Sequence, residues 1–202
     1  ITITRANPRP GETLIDVAGG TGDLARAFLD RADAVRRRKG GPPARAVVAD
    51  INEQMLRAGL KRGGDERLAW VTADAERLPF ADGVAECVTI GFGIRNVTDR
   101  AAALTEMRRV LKPGGRFLCL EFSRPVTRPL GQAYDFWSFR AIPELGAWIA
   151  KDRDSYQYLV ESIRRFPPQE AFAQELREAG LGNVKVTNLS GGIAALHTGW
   201  KV

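Results

Sequence analysis

The sequence is poor in the residues that build metal centres and disulfide scaffolds. Its 202 residues include one histidine, His197, and two cysteines, Cys87 and Cys119. One histidine cannot form a metal site, and a place in the last predicted strand favours a structural role for His197 over a catalytic one. Both cysteines lie in apolar runs, where a thiol behaves as a small buried hydrophobe. We therefore expect free thiols in a reducing compartment.

Long apolar runs and several catalytic motifs are also missing. No stretch approaches the ~18 to 20 consecutive apolar residues that cross a bilayer, and no signal peptide opens the chain. There is no phosphate-binding P-loop, metal-spaced His/Cys cluster or Gly-x-Ser-x-Gly elbow, which argues against phosphoryl transfer, zinc chemistry and esterase chemistry. We expect a cytoplasmic protein. Because residues 2–5 lead almost directly into a strand pattern, we also expect an N-terminal segment to be missing.

The remaining composition is that of an ordinary globular domain. Hydrophobic residues make up 44% and charged residues 27% of the chain, and the length suits one domain, 1–202. Thirty Lys and Arg residues against 24 Asp and Glu give a formal net charge of +6. This charge suits an anionic partner, either nucleic acid or an acidic lipid surface, without choosing between them.

Strand patterns alternate with helix patterns along most of the chain, which predicts an α/β fold with a mostly parallel sheet and helices on both faces. The predicted strands are 13–18, 46–50, 68–73, 84–91 and 116–121, and the predicted helices are 23–38, 53–61, 98–111 and 169–179. Two final strands, 184–189 and 192–200, are separated by a junction short enough for an antiparallel hairpin. An aromatic-rich helical insert is predicted at about 128–165.

A glycine-rich turn follows the first strand. In the run from Asp16 to Gly22, the glycines permit a sharp turn and let a ligand approach the main chain. The turn lies where the carboxyl end of the first strand meets a helix, which is where open α/β sheets bind ligands. A plain tight turn is the alternative. A dinucleotide-binding dehydrogenase is another, but its G-x-G-x-x-G fingerprint is met only if Ala25 takes the third glycine position.

Acidic residues end the next two strands. Asp50 can accept hydrogen bonds from both hydroxyls of an adenosine ribose, although an Asp at a strand end more often caps a helix. Asp74 can accept from the exocyclic amine of adenine. With the glycine turn, these are three features at the carboxyl ends of consecutive strands, and together they favour a cofactor containing adenosine.

The motifs closely resemble those of the ubiquinone/menaquinone biosynthesis C-methyltransferases. They are Asp-Val-Ala-Gly-Gly-Thr-Gly-Asp at 16–23, Asp-Ile-Asn at 50–52, Leu-Pro-Phe at 78–80, Phe-Gly-Ile-Arg-Asn-Val at 92–97, Leu-Lys-Pro-Gly-Gly at 111–115 and Leu-Glu-Phe-Ser at 120–123. Further blocks at 155–163 and 194–197 extend the resemblance over essentially the whole chain from residue 13. The motifs at 92–97 and 120–123 are the most selective for the family.

The resemblance implies a class I methyltransferase fold, which is a Rossmann-like seven-stranded sheet with one antiparallel strand, and S-adenosyl-L-methionine (SAM) as the cofactor. The implied cofactor-binding residues are Asp16, Gly20, Thr21, Gly22, Asp50, Asp74, Ala75 and Gly91. Many relatives carry Ser at the Gly91 position, so a side-chain contact is lost there. The family's N-terminal helical segment, which covers the cofactor, is expected to be missing.

The implied reaction moves a methyl group from SAM to a ring carbon of a polyprenylated benzoquinol or naphthoquinol. Ring carbon is a weak nucleophile until the neighbouring hydroxyl ionises, and a phenol with a pKa near 10 needs help at neutral pH. Arg95 is predicted to stabilise the phenolate, because a guanidinium is a poor base, and Asn96 to orient the ring hydroxyl. A surface salt bridge is the alternative for Arg95. The proton acceptor stays open between Glu121, His197 and a water held by Asp135 or Tyr156.

The predicted partners follow from the same resemblance. We expect a polyprenyl quinol substrate, with an aromatic lining at 134–148 for its chain, and transient contact with anionic lipid at the inner face of a membrane. We expect no nucleic acid, because the one dense basic run, 36–39, is a helix end. A methyltransferase for RNA or a small phenol and a non-catalytic scaffold remain alternatives. The oligomeric state, with a homodimer as one option, is left undecided.

Overall fold

Seven strands form one sheet in the computed structural model of the chain, which describes residues 1–124 and 153–202. The strands are β1 (Thr13–Val17), β2 (Arg45–Asp50), β3 (Leu68–Thr72), β4 (Ala85–Gly91), β5 (Leu111–Phe122), β6 (Gly182–Leu189) and β7 (Ala194–Trp200). The described α-helices are α1 (Thr2–Ala6), α2 (Asp23–Lys39), α3 (Glu53–Lys61), α4 (Arg100–Val110), α5 (Arg153–Arg165) and α6 (Gln169–Glu178). Short 3₁₀ turns occupy Ile94–Asn96 and Ser190–Gly192.

The sheet order confirms the predicted fold class. The strands lie in the order β3-β2-β1-β4-β5-β7-β6. Pairs among the first five strands are parallel, whereas β7 is antiparallel to both of its neighbours, β5 and β6. This is the class I methyltransferase arrangement that the sequence motifs implied. The carboxyl ends of β1 to β5 therefore share one edge of the sheet, which we call the carboxyl edge, and the opposite edge is the amino edge.

The core has two layers because helices cover both faces of the sheet. Alternate residues of a strand point to opposite faces, and on β1 the buried Leu14 packs with Phe28 of α2 while the buried Ile15 packs in the other layer with Met107 of α4. The central strands are apolar along nearly their whole length, as expected for a parallel sheet covered on both sides.

Several element boundaries differ from the predicted ones, most of them by one or two residues. Residues 2–6, for which no element was predicted, form a helix. The fourth helix begins at Arg100 rather than residue 98, because the Asp99 side chain accepts a hydrogen bond from the Ala102 N–H and caps it. Strand β5 begins at Leu111 rather than residue 116, because the segment pairs with β4 through a bulge.

The described residues test the prediction for the two cysteines in full and the prediction of a helical insert in part. Cys87 and Cys119 are buried and free, as expected; they pack in different layers of the core, and burial raises the pKa of both thiols. Of the predicted insert at about 128–165, the described part is helix α5, and the aromatic segment 134–148 lies outside the described residues. None of the helices in residues 1–124 and 153–202 has the length and apolar character needed to cross a bilayer.

Candidate active site

A cavity of about 540 Å³ opens at the carboxyl edge. It is built from the four segments that follow β1, β2, β3 and β4, which is where open α/β sheets place their ligands. Its lining residues are Ala18, Gly19, Gly20, Thr21, Asp50, Ile51, Asn52, Met55, Ala73, Asp74, Ala75, Glu76, Gly91, Phe92, Gly93, Asn96, Val97 and Thr98. Seven of the eleven predicted site residues are among them.

The glycine turn forms one wall of this cavity. Ala18 and Gly20 have left-handed backbones, with φ of 49° and 54°, and the Gly22 N–H closes the turn on the Gly19 carbonyl at 2.8 Å. Gly20 and Thr21 line the cavity, whereas Gly22 faces the sheet: a Cβ on Gly22 would lie 2.7 Å from the Trp70 ring. Gly22 therefore serves the packing of the turn and does not reach the cavity.

The carboxylate of Asp50 ties the glycine turn to the end of β2. Its Oδ2 accepts from the Gly20 N–H and its Oδ1 from the Asn52 N–H, both at 2.8 Å. Helix α3 is capped by Asn52, whose side chain accepts from the Gln54 and Met55 N–H groups, so capping is not the role of Asp50. Asp50 faces the cavity, and its remaining lone pairs are available to ligand hydroxyls.

Asp74 and Ala75 lie across the cavity, beyond the end of β3. Asp74 is exposed, and its Oδ1 accepts from the Glu76 N–H at 2.9 Å, which leaves its other oxygen open to solvent. Met55 and Ile51 add apolar surface to the same cavity, and 71% of Ile51 is exposed. The cavity thus combines the Asp74 carboxylate with apolar surface from Met55 and Ile51, a combination that suits adenine.

Asp16 lies beneath the glycine turn and is fully buried. Its Oδ1 accepts from the Thr89 hydroxyl at 2.6 Å, whereas its Oδ2 has no partner. A Cβ on Gly19 would lie 2.7 Å from that Oδ2. Burial raises the pKa of Asp16 to about 7; the Thr89 hydroxyl and the Ala25 backbone N–H act against this rise, and the carboxylates of Asp50 and Asp23 add to it. A buried acceptor without a partner suits a cationic ligand group.

Gly91 ends β4 and lines the cavity. A Cβ there would lie 2.9 Å from Cδ1 of Leu24, so a side chain at this position requires the flexible end of Leu24 to shift. The loss of a serine contact at this position, which the sequence motifs led us to expect, stays a prediction.

The two charged residues predicted to act on substrate, Arg95 and Glu121, bond to each other. The guanidinium Nη1 of Arg95 donates to Glu121 Oε1 at 2.9 Å, and the two side chains are 11% and 1% exposed. Burial raises the pKa of Glu121, and the Arg95 charge acts against that rise. Neither residue lines the cavity. The alternative of a salt bridge for Arg95 is thus realised, in a buried rather than a surface form.

Asn96, the third residue predicted to act on substrate, does line the cavity. Its Oδ1 accepts from the Tyr158 hydroxyl at 3.3 Å, and this bond links the loop after β4 to helix α5. Since the carbonyl oxygen is engaged, the amide Nδ2 group is left to donate to a ligand.

The other proposed proton acceptors do not reach the cavity or lie outside the described side chains. His197 packs edge-on against Phe172 with ring centroids 4.9 Å apart, and its Nε2 bonds the Gln169 carbonyl at 2.9 Å. Burial lowers its pKa. Asp135 and the side chain of Tyr156 lie outside the described part of the chain.

Sequence reasoning missed Phe92 and Thr89. Phe92 lines the cavity with a left-handed φ of 55°, which is rare for an aromatic residue and carries no sequence signal. Thr89 meets Asp16 through the register of β1 and β4, which pairs the two residues directly. A threonine between the apolar residues Val88 and Ile90 of β4 was the one available clue.

The sequence profile of the ubiE/COQ5 methyltransferase family matches residues 1–201. The chain belongs to this family. Curated relatives agree: a Caulobacter vibrioides protein named ubiquinone/menaquinone biosynthesis C-methyltransferase is 59% identical over 198 residues, covering 98% of this chain and 79% of the relative. A Paracoccus denitrificans protein of the same name is 56% identical, with 96% and 76% covered. The resemblance predicted from the motifs is confirmed, and with it the assignment as a methyltransferase.

Solved structures show the same fold at low sequence identity. A complex of the Haloferax volcanii Trm112 methyltransferase activator with a methyltransferase matches with a TM-score of 0.71 and 17% identity, covering 99% of this chain and 87% of that one. The Haemonchus contortus phosphoethanolamine N-methyltransferase 2, in complex with SAM, matches with a TM-score of 0.69 and 14% identity, covering 99% and 51%.

SAM is the cofactor of this ubiE/COQ5 family member, and the cavity fits it. The Asp50 carboxylate lines the cavity and suits the ribose hydroxyls, whereas Asp16, with its unpartnered Oδ2, is buried beneath the glycine turn and does not line the cavity. Because Gly20 has no side chain, it leaves space at the cavity wall; a Cβ there would lie 3.2 Å from the Met55 methyl group. The individual contacts of the predicted cofactor-binding residues stay predictions. Two of these residues, Gly22 and Asp16, do not line the cavity: Gly22 shapes the turn and Asp16 lies beneath it.

Proposed function

We propose that this chain methylates a ring carbon of a polyprenylated benzoquinol or of a demethylmenaquinol, with SAM as the methyl donor. The identity of 59% over 98% of the chain to a ubiquinone/menaquinone biosynthesis C-methyltransferase carries the proposal. The carboxylates at the ends of β1, β2 and β3 support it, because they face or underlie one cavity of a size that suits a nucleoside.

In this proposal the chain binds and orients, while SAM supplies an electrophilic methyl group on a sulfonium. Asp16, Asp50 and Asp74 hold the donor at the carboxyl edge. Asn96 donates from Nδ2 to a ring hydroxyl and so aligns the neighbouring carbon for attack, which is the main contribution that positioning makes. Since Glu121 and His197 are buried away from the cavity, we propose water as the acceptor of the phenol proton. As the ring carbon bonds the methyl group, the methyl–sulfur bond would break and leave a neutral thioether. The hydrogen on that ring carbon would then leave as a proton to solvent, and the ring oxygen would be protonated again, so that one proton is released overall.

The decisive experiment supplies the protein with labelled SAM and, separately, with short-chain benzoquinol, short-chain demethylmenaquinol, a small phenol and RNA. We expect a methylated quinol ring by mass spectrometry and no labelled RNA. Asp50→Asn should raise the KM for SAM about tenfold, because a neutral amide is a weaker acceptor for ribose hydroxyls. Asp30→Asn, on the exposed face of α2, is the matched control. Label on RNA alone, or SAM binding without methylation of any substrate, would overturn the proposal.

A second part of the proposal is contact with anionic lipid through the amino edge. The basic run 36–39 ends α2 there. The loops before β1 and β2 touch, since a Cβ on Gly41 would lie 2.9 Å from Cβ of Pro10, and this brings the exposed Arg5 and Arg9 to the same edge. Clustered cations attract an anionic membrane with about 1 kcal/mol for each residue near its surface.

Liposome sedimentation tests this contact. We expect binding to vesicles that contain acidic lipid, weaker binding to neutral vesicles, and a clear loss with Arg38→Glu. Lys185→Glu makes the same charge change on exposed strand β6, away from the basic run, and should keep more of the binding. Equal losses in the two variants would show that net charge, and not this edge, governs binding.

A further inference from the structure

The loop after β4 holds a strained residue at the cavity wall. Phe92 has φ 55°, in the left-handed region that a bulky residue rarely occupies. The residue lines the cavity and leads through Gly93 into the 3₁₀ turn Ile94–Asn96, which carries Asn96 to the same cavity. Such a conformation persists only where the surrounding contacts determine it.

Arg95 supplies one of those contacts by folding back on its own loop. Its guanidinium Nη1 donates to the Phe92 carbonyl and to Glu121 Oε1. Its backbone N–H also donates to Glu121 Oε2 at 3.3 Å, and Glu121 Oε1 accepts from the Phe122 N–H at 2.8 Å. One buried carboxylate thus joins the end of β5 to the loop after β4.

Aromatic contacts also hold Phe92 and Arg95 in place against the end of β5. The rings of Phe92 and Phe122 lie 4.6 Å apart between centroids, and the Arg95 guanidinium carbon lies 5.4 Å from the Phe122 ring. The guanidinium is therefore held on an aromatic surface as well as by its ion pair. These contacts leave Arg95 and Glu121 behind the cavity wall, whereas Phe92 and Asn96 form part of it.

We propose that Arg95 and Glu121 are positioning residues: they lock the loop after β4 in its left-handed form and so present Phe92 and Asn96 to the cavity. This replaces the expectation that the two residues act on the substrate directly. The inference rests on the proposed function for its link to catalysis, but its central claim concerns the shape of the SAM cavity and is testable without any quinol.

A double-mutant cycle tests the claim through SAM affinity measured by calorimetry. Glu121→Gln keeps the size of the side chain and removes its charge, and we expect SAM affinity to fall about tenfold. Phe92→Gly replaces the strained residue by one that adopts a positive φ without steric cost. In the Phe92→Gly background, Glu121→Gln should change SAM affinity no more than about twofold, because the loop no longer needs the lock.

Three outcomes would overturn the proposal. Equal losses from Glu121→Gln in both backgrounds would show that the pair does not act through Phe92. Unchanged SAM affinity in Glu121→Gln would do the same. So would an Arg95→Gln variant that binds SAM normally yet loses single-turnover methylation at saturating quinol, since that pattern places the guanidinium on the substrate. Circular dichroism and thermal unfolding of each variant establish that it is folded, and Arg95→Lys serves as a second variant if Arg95→Gln does not fold.

A failure of the proposed function would look different. The cycle would still show coupling between Glu121 and Phe92 in SAM affinity, while no quinol would be methylated by the unaltered protein.

Discussion

Charged side chains are paired at the amino edge of the sheet, whereas at the carboxyl edge one carboxylate oxygen has no partner. At the amino edge, Glu12 pairs with Arg116 at 2.6 Å, and Glu86 accepts from Lys112 and from the Thr13 N–H. At the carboxyl edge, a buried oxygen of Asp16 has no partner, and Ala18 and Phe92 have left-handed backbones. Satisfied polar groups stabilise a fold, whereas unpaired groups and backbone strain gather where a ligand completes the structure. The contrast marks the carboxyl edge as the functional one.

The largest expected effect comes from adding a side chain at the carboxyl edge, where two loops approach each other closely. A Cβ on Gly93 would lie 2.5 Å from Cβ of Ala18, and both residues line the cavity. Gly93→Val should lower SAM affinity at least about 100-fold and the free energy of unfolding by about 3 kcal/mol, measured by calorimetry and urea denaturation. Gly64→Val, where the added Cβ meets nothing within 4 Å, is the control and should change stability by less than about 1 kcal/mol. Normal SAM binding by Gly93→Val would contradict the close approach of the two loops.

The next effect depends on pH. The pKa of Asp16 is raised from 3.8 to about 7, so its contribution to stability is fully present below pH 3.8 and is lost as pH rises to about 7. Asp16→Asn stays neutral, and its advantage in free energy of unfolding without SAM should grow by about 2.5 kcal/mol between pH 5 and pH 8. SAM affinity at pH 8 should fall at least about tenfold.

Thermal unfolding at both pH values and calorimetry measure the two halves of this prediction. Asp30→Asn, on the surface of α2, should show neither change. A stability difference that does not vary with pH would mean that Asp16 ionises in the folded protein as easily as in water.

A smaller effect belongs to the amino edge. Glu12 and Arg116 are 11% and 15% exposed, so Glu12→Gln leaves a mostly buried guanidinium without its counter-charge. The free energy of unfolding should fall by about 1.5 kcal/mol while SAM affinity stays within about twofold. Glu170→Gln breaks the exposed pair with Arg177 and should cost less than about 0.5 kcal/mol in the same urea titration. A loss of SAM affinity in Glu12→Gln would erase the contrast between the edges.

The smallest effect concerns the basic run at the end of α2. Arg38 is exposed, and its charge interacts favourably with the helix C-terminus by only about 0.3 to 0.5 kcal/mol. Arg38→Ala should therefore change the free energy of unfolding by no more than about 0.5 kcal/mol, measured by thermal unfolding at low and high salt. A larger loss would mean that this run contributes to the fold and is not simply a solvated helix end.

Much of the fold was predictable because its signals are local. The glycine turn, the apolar strands and the acidic residues at strand ends each follow from a few neighbouring residues. Asp50 and Asp74 were predicted for the cofactor site from their places at strand ends, Ala75 and Asn96 from the resemblance to the family, and all four line the cavity. Predicted boundaries were wrong where pairing with a distant element sets the boundary. Strand β5 is an example, because its start depends on pairing with β4.

The parts of the site that escaped prediction depend on contacts between distant residues. Arg95 and Glu121 are 26 positions apart, and their ion pair requires the ends of β4 and β5 to lie side by side. A side chain at position 91 would meet Cδ1 of Leu24, a contact that no local pattern indicates. Sequence motifs therefore identified Arg95 as important, but they could not show that its guanidinium turns away from the cavity.

The sequence alone determined the class of fold, the family and the cofactor, because strand periodicity and short motifs depend only on neighbouring residues. Only the folded chain decided which of those residues reach the cavity and which support it from behind. Burial and strand register make that choice: they leave an oxygen of Asp16 unpaired beneath the glycine turn and bring Glu121 to Arg95. Both depend on how separate elements pack, and that packing is a property of the whole domain.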